Sequence, residues 1–417
     1  IIDGEDVRIP VHIEFYRRSY LIIEGIVARN GNRDVYNLTG GHNILRRVSG
    51  YDANTDENSR VFSVSGENNL IEDCVAAGTG RKMIVTLGGG PVTWRRCLAD
   101  WRDYEGKTFA GVYYPWGEGM EFYNASNNIF ENAIAYGHTS RAAISLLGQG
   151  GKAASNNKIL GSMAIESGMK LDGTPMNWGC PVQTSPCDCI DDPDREGFDV
   201  DQWCVDNNHV GVADRPQPSD LTWVGRLTEW PGQMSGFNAL ASGGTVSDNL
   251  LQDFLGWGSA RYGVGFQAVN HPDTQVGNNR IDRATVFNNG LNNPHGAWGG
   301  NGANTRTEDL SNYSSITNSY IENIWQGGTS FSTITGEGAR LTKRYVDGVL
   351  TDEDLWPWPM EERIKAELGY SVTCRMGTII NDAYAAGKAA EGIDMTSRDP
   401  DWASDPNNLV VQACINQ

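Results

Sequence analysis

Side chains able to do chemistry are concentrated in a few places along the 417 residues. The densest run is Asp192-Pro193-Asp194-Arg195-Glu196-Gly197-Phe198-Asp199-Val200-Asp201. Its carboxylates (Asp192, Asp194, Glu196, Asp199 and Asp201) fall close to alternate positions, with Gly197 at the sixth. Hard oxygen donors at that spacing, with a glycine for the sharp turn, match the front half of a Ca2+-binding loop. The twelfth position, where such a loop carries its bidentate acid, is Trp203. The run is read as a Ca2+ site or, alternatively, as an acidic loop in water.

The eight cysteines are the second chemical feature: Cys74, Cys97, Cys180, Cys187, Cys189, Cys204, Cys374 and Cys414. An even, clustered set predicts disulfides and an oxidising compartment, against the alternative of buried free thiols. Cys187 and Cys189 lack histidine partners at zinc-finger spacing, since His209 stands alone nearby. The 33 basic and 52 acidic residues leave a formal charge of -19 and no basic block, which argues against nucleic-acid binding. No apolar run is long enough to span a membrane. The chain does not begin with Met and shows no basic-then-apolar leader, so a processed, exported form is expected.

The elements that must position these groups are read from a repeat. An Asn or its equivalent, a spacer, a large apolar residue and two mostly polar residues recur, as in Asn43-Ile44-Leu45-Arg46-Arg47 and Asn69-Leu70-Ile71-Glu72-Asp73. Later copies include Val92-Thr93-Trp94, Asn128-Ile129-Phe130, Asn157-Lys158-Ile159, Asn249-Leu250-Leu251 and Asn279-Arg280-Ile281. With Ile23 at the start and Ser314-Ser315-Ile316 at the end, the apolar anchors stand at 23, 45, 71, 94, 130, 159, 251, 281 and 316. A step in the low twenties that lengthens irregularly suits rungs of three short strands whose turns swell into loops. Alternate apolar residues would face a shared interior, and Asn would stack on Asn at one corner. Cys74 and Cys97 share a column on adjacent rungs, as a disulfide or as stacked thiols.

The opening Ile1-Ile2-Asp3-Gly4, followed by Tyr20-Leu21-Ile22-Ile23-Glu24-Gly25-Ile26, resembles the first rungs of the pectate-lyase-like superfamily. That resemblance implies an all-β, right-handed parallel β-helix over residues 1–335. The superfamily holds lyases, glycoside hydrolases, tailspikes and adhesins, so it is specific for fold and poor for function. A polygalacturonase-type hydrolase would carry paired acids beside Gly-His-Gly, with Arg-Ile-Lys on a rung. Here Gly41-His42 and Gly137-His138 lack the second glycine, and Arg363-Ile364-Lys365 falls on a predicted helix. A lyase needs a base, for which Arg81-Lys82 and Arg141 are the candidates, although the favoured reading of both is as exposed turn residues. Trp101, Trp116, Trp257, Trp298 and Trp325 lie near rung turns, to stack on sugar or to cover the coil.

Two regions are not rungs. Residues 171–235 lose the repeat and hold Cys180, Cys187, Cys189 and Cys204, which predicts a disulfide-rich loop insertion. Residues 336–417 read as a small, partly helical C-terminal cap. There Met360, Ile364 and Leu368 form one apolar stripe, and Cys374 is placed to bridge to Cys414. At the other end Ile1 and Ile2 begin a rung with nothing to cover it. An open rung that meets the next copy makes a head-to-tail contact and builds filaments. The leading expectation is therefore a non-catalytic extracellular or cell-surface protein that assembles with copies of itself. A Ca2+-assisted polysaccharide lyase or glycoside hydrolase comes next, then a carbohydrate-binding adhesin.

Overall fold

A computed structural model describes residues 1–13, 19–54, 59–101, 118–137, 142–165, 167, 235–259, 262–269, 271–287, 289, 303–309, 315–322, 324–327 and 343–354. Within these, short strands stack in parallel to form a right-handed parallel β-helix, and no helix occurs. One seventeen-stranded sheet bends at a corner and so contains two strand series. The first series runs from Ile22–Glu24 to Tyr320–Glu322, and the second from Ile2–Asp3 to Trp325–Gly327. A second sheet of nine strands runs from Val11–Ile13 to Ala303–Asp309. A short sheet joins Ala153–Ser155, Thr245–Ser247, Gln275–Gly277 and Ile316–Thr317.

The repeat read from sequence is the register of the first series. Ile23, Leu45, Ile71, Trp94, Phe130, Ile159, Leu251 and Ile281 pair in succession. The last anchor is a correction: Ile281 pairs with Ile321, whereas Ile316 pairs with Val276 in the short sheet. The slip has a simple cause. Ala154, Val246, Val276 and Ile316 form a second inward column, and each stands five residues before an anchor of the first. Ser314-Ser315-Ile316 and Ser319-Tyr320-Ile321 present the same Ser, spacer and isoleucine in sequence.

The Asn column works as a hydrogen-bond ladder. Asn128, Asn157 and Asn249 each donate their backbone N–H to the side-chain oxygen of the next Asn, at 2.9, 2.8 and 3.1 Å. Their amide groups repeat the link at 3.0, 3.0 and 2.9 Å. These buried polar groups are therefore satisfied along the axis of the coil, with no water needed. Val92 takes the Asn place in one rung, and Ser319 takes it at the end, accepting from the Asn279 N–H at 3.3 Å. Beside the ladder, aromatic rings fill the interior: Tyr36 stacks on Phe62 at 4.4 Å and Phe122 on Phe130 at 4.1 Å.

The bend between the two series is a corner of left-handed backbone. Gly25, Arg47, Asp73, Arg96, Asn132, Gly161, Asp253 and Arg283 occupy it, with φ between 50° and 69°. Such φ values cost a side-chain-bearing residue roughly 1 kcal/mol or more. Contacts between stacked corner residues offset this. Arg96 makes a two-pronged pair with Asp73, its Nε–Oδ1 distance being 2.6 Å, and Arg283 does the same with Asp253 at 2.8 Å. Immediately after the first of these pairs, Cys74 and Cys97 are joined by a disulfide, with Cα atoms 4.5 Å apart.

Beyond the rungs, an antiparallel hairpin pairs Lys343–Val346 with Val349–Asp354. Asp347 and Gly348, both at positive φ, form its two-residue turn. The hairpin lies along the flank of the coil, against Glu131, Asn132, Gln252 and Asp253, and this part of residues 336–417 is not a cover over the last rung. The expected cap helix and Cys374 and Cys414 lie outside the described residues. So do Cys180, Cys187, Cys189 and Cys204 in the expected insertion.

Candidate functional site on the second sheet

On the strand Glu118–Tyr123, Glu121 and Tyr123 alternate with the core residues Met120 and Phe122, so they face away from the interior. Lys82, on the neighbouring strand, pairs in register with Glu118. Its ammonium lies 3.1 Å from the Glu118 carboxylate, contacts the Glu121 carboxylate, and sits 4.8 Å over the Tyr123 ring. Tyr123 in turn donates its hydroxyl to Gln149 at 2.8 Å. All three charged side chains are buried.

The same face carries more polar groups on either side. Asp34 and Arg60 pair at 3.3 Å, and Asn37 donates to Asp34 at 2.8 Å. Burial pushes the Asp34 carboxyl above its ordinary range, and Arg60 offsets this only in part. Burial likewise pulls Arg60 down, against the pull of Asp34. Further along, Asn238 donates to Gln267 at 3.2 Å, with Ser145 buried beside Asn238 in register. Outward side chains of a coil usually meet water. Here they form a buried polar strip across successive rungs, and such a strip is where binding and catalysis are sought first.

Chemically, two carboxylates within reach of one ammonium can deliver and accept protons across a bound substrate. A lysine engaged by two carboxylates donates hydrogen bonds to both and so fixes where they point.

Lys82 was read from sequence as an exposed turn residue or a lyase base; it is a buried strand residue. The Arg81 backbone N–H donates to Ser59 Oγ at 3.2 Å. His42 stacks on Tyr20 with ring centroids 4.9 Å apart. Trp101 is buried and donates to the Gly80 carbonyl at 2.6 Å, so it packs the coil and offers no platform for a sugar ring. His138, Arg141, Trp116, Trp298, Arg363, Lys365 and the acidic run Asp192, Asp194, Glu196, Asp199 and Asp201 lie outside the described residues. The Trp257 and Trp325 side chains are also outside. Among the described residues no three His, Cys, Asp or Glu side chains converge as metal ligands. Among them, too, no helix is long and apolar enough to cross a membrane.

Glu118 and Glu121 were passed over in the sequence. The step from 94 to 130 looked like one swollen turn, yet Met120-Glu121-Phe122-Tyr123 carries the strand alternation that would have marked Glu121, whereas Glu118 shares the parity of Met120 and Phe122 and is not marked by it.

No family model matches this chain, and no curated protein matches it. Among solved structures it is similar to the catalytic domain of a GH87 alpha-1,3-glucanase in complex with tetrasaccharides. The identity is 12% and the TM-score 0.38, over 75% of this chain and 47% of that one. This chain thus spans about half the length of that structure. A likeness this faint says nothing about activity.

Proposed function

We propose that this chain acts on polysaccharide, cleaving glycosidic bonds with Glu118 and Glu121 as its acid and base or nucleophile. The observation that supports the reading is the gathering of both carboxylates with Lys82 and Tyr123 on the outward face of the second sheet. One carboxyl protonates the leaving oxygen; the other activates water or attacks the anomeric carbon. Lys82 orients both. The disulfide Cys74–Cys97 fits an oxidising compartment, so the working place is extracellular or at the cell surface.

The test is release of new reducing ends from a panel of neutral and uronic-acid polysaccharides. Glu121→Gln and Glu118→Gln are each expected to lower the rate about 100-fold or more with the fold retained. Unsaturated products would favour a lyase. Glycan binding without turnover would favour an adhesin, and no glycan response would end the reading.

A further inference from the structure

We propose that the hairpin formed by Lys343–Val346 and Val349–Asp354 is a lateral clasp. It holds in register the two rungs between which the chain departs for its longest excursion. Lys158–Leu160 and Leu250–Gln252 are hydrogen-bonded neighbours, yet Asn157 and Asn249, which lead into them, stand 92 positions apart in sequence. Closing a longer loop costs more chain entropy, so among the described rungs this interface bears the largest closure cost. A solenoid offers little compensation, because each rung touches only its neighbours.

The hairpin supplies the missing long-range contacts. Its backbone at Tyr345 is gripped by the Asn132 side chain, which donates to the Tyr345 carbonyl at 2.6 Å and accepts from its N–H at 2.9 Å. Asn132 belongs to the rung before the pair. The Tyr345 ring then passes over Gly161, on the near rung of the pair, where an added Cβ would stand 3.0 Å from the ring. Gly161 also needs its positive φ of 57°, so the position serves both the corner and the clasp. Across the junction, the Tyr345 hydroxyl donates to Asp253 and lies 3.2 Å from the Gln252 side-chain oxygen. Arg283, one rung further, donates to the same hydroxyl at 3.5 Å. At the hairpin tip, the Gly348 N–H donates to Glu131 at 2.7 Å and Asp347 accepts from Arg95 at 2.5 Å. One side chain, Tyr345, thus touches residues on both sides of the excursion, and its hairpin reaches two rungs beyond on one side and one on the other. A hairpin that merely covered surface would need none of these contacts buried. Tyr345 is 3% exposed.

The experiment is hydrogen exchange by mass spectrometry on the whole chain, comparing wild type, Tyr345→Ala and Tyr345→Phe. In Tyr345→Ala, amides in 158–165 and 250–257 are expected to exchange about tenfold faster, while 44–53 and 60–64 keep their wild-type rates. Tyr345→Phe keeps the ring over Gly161 and loses the hydroxyl, so a smaller acceleration confined to 250–257 is expected; this variant decides the matter if the alanine chain does not fold. Unchanged exchange beside the excursion, or equal acceleration in every rung, would overturn the clasp.

Discussion

Ion pairs of the same composition sit on two sides of this coil, and their surroundings treat them in opposite ways. At the corner of the large sheet, the Arg96 and Arg283 side chains are 21% and 31% exposed. Burial works against the Arg96 guanidinium, but the hydrogen bond and charge of Asp73 outweigh it and hold it above its ordinary value. The Asp253 hydrogen bond raises Arg283 even more strongly. On the second sheet, the Arg60 and Asp34 side chains are 8% and 0% exposed, their contact is longer at 3.3 Å, and burial wins on both partners. The lesson concerns partial solvation. A stacked pair whose arginine keeps contact with water stabilises a corner, even over a buried Asp253, whereas a pair with both side chains taken out of water must be held there by the rest of the fold.

The sharpest way to break this contrast is to remove one partner from each pair. Arg60→Ala leaves the Asp34 carboxyl buried without its cation and is expected to cost about 3 kcal/mol in urea unfolding. Replacing both partners, as Asp34→Leu with Arg60→Met, should return stability to within about 1 kcal/mol of wild type. If the single change were harmless, burial would not be governing that pair.

The second measurement is the pH dependence of stability. Because Asp34 holds its proton more tightly in the folded chain than its ordinary value of 3.8 allows, the folded state binds more protons just above that pH. Its contribution to stability therefore declines as pH rises from about 3.8 through the higher native value. Asp34→Asn should flatten that part of the stability profile, and an unaltered profile would refute the assignment.

The smallest effect belongs to the corner. Arg96→Ala should cost about 1 kcal/mol, lessened in high salt, since the pair is partly exposed and Cys74–Cys97 ties the same two rungs. A loss matching that of Arg60→Ala would erase the distinction between the two sides.

Much of the coil is legible in the sequence because its signal is local and periodic. Asn43, Asn69, Asn128, Asn157, Asn249 and Asn279 recur at one offset from an apolar anchor, since each must bond to the residue stacked on it. The charged corner was invisible for the opposite reason. Arg47, Arg96 and Arg283 are unusual residues for left-handed backbone, and they alternate with the more tolerant Asp73 and Asp253, so no one residue type announces the turn. The hairpin did have a signal in Asp347-Gly348, a dipeptide that favours a two-residue turn, and it was missed inside a stretch read as a cap.

The sequence by itself determined the stacking of parallel rungs and the Cys74–Cys97 column, because each depends on what lies one coil away in a regular repeat. Only the tertiary structure could bring Lys82 to Glu118 and Glu121, or Tyr345 to Asn132, Gly161 and Asp253. Those groups lie 36 to 213 positions apart. No periodicity in the chain encodes the lengths of the excursions that close such distances.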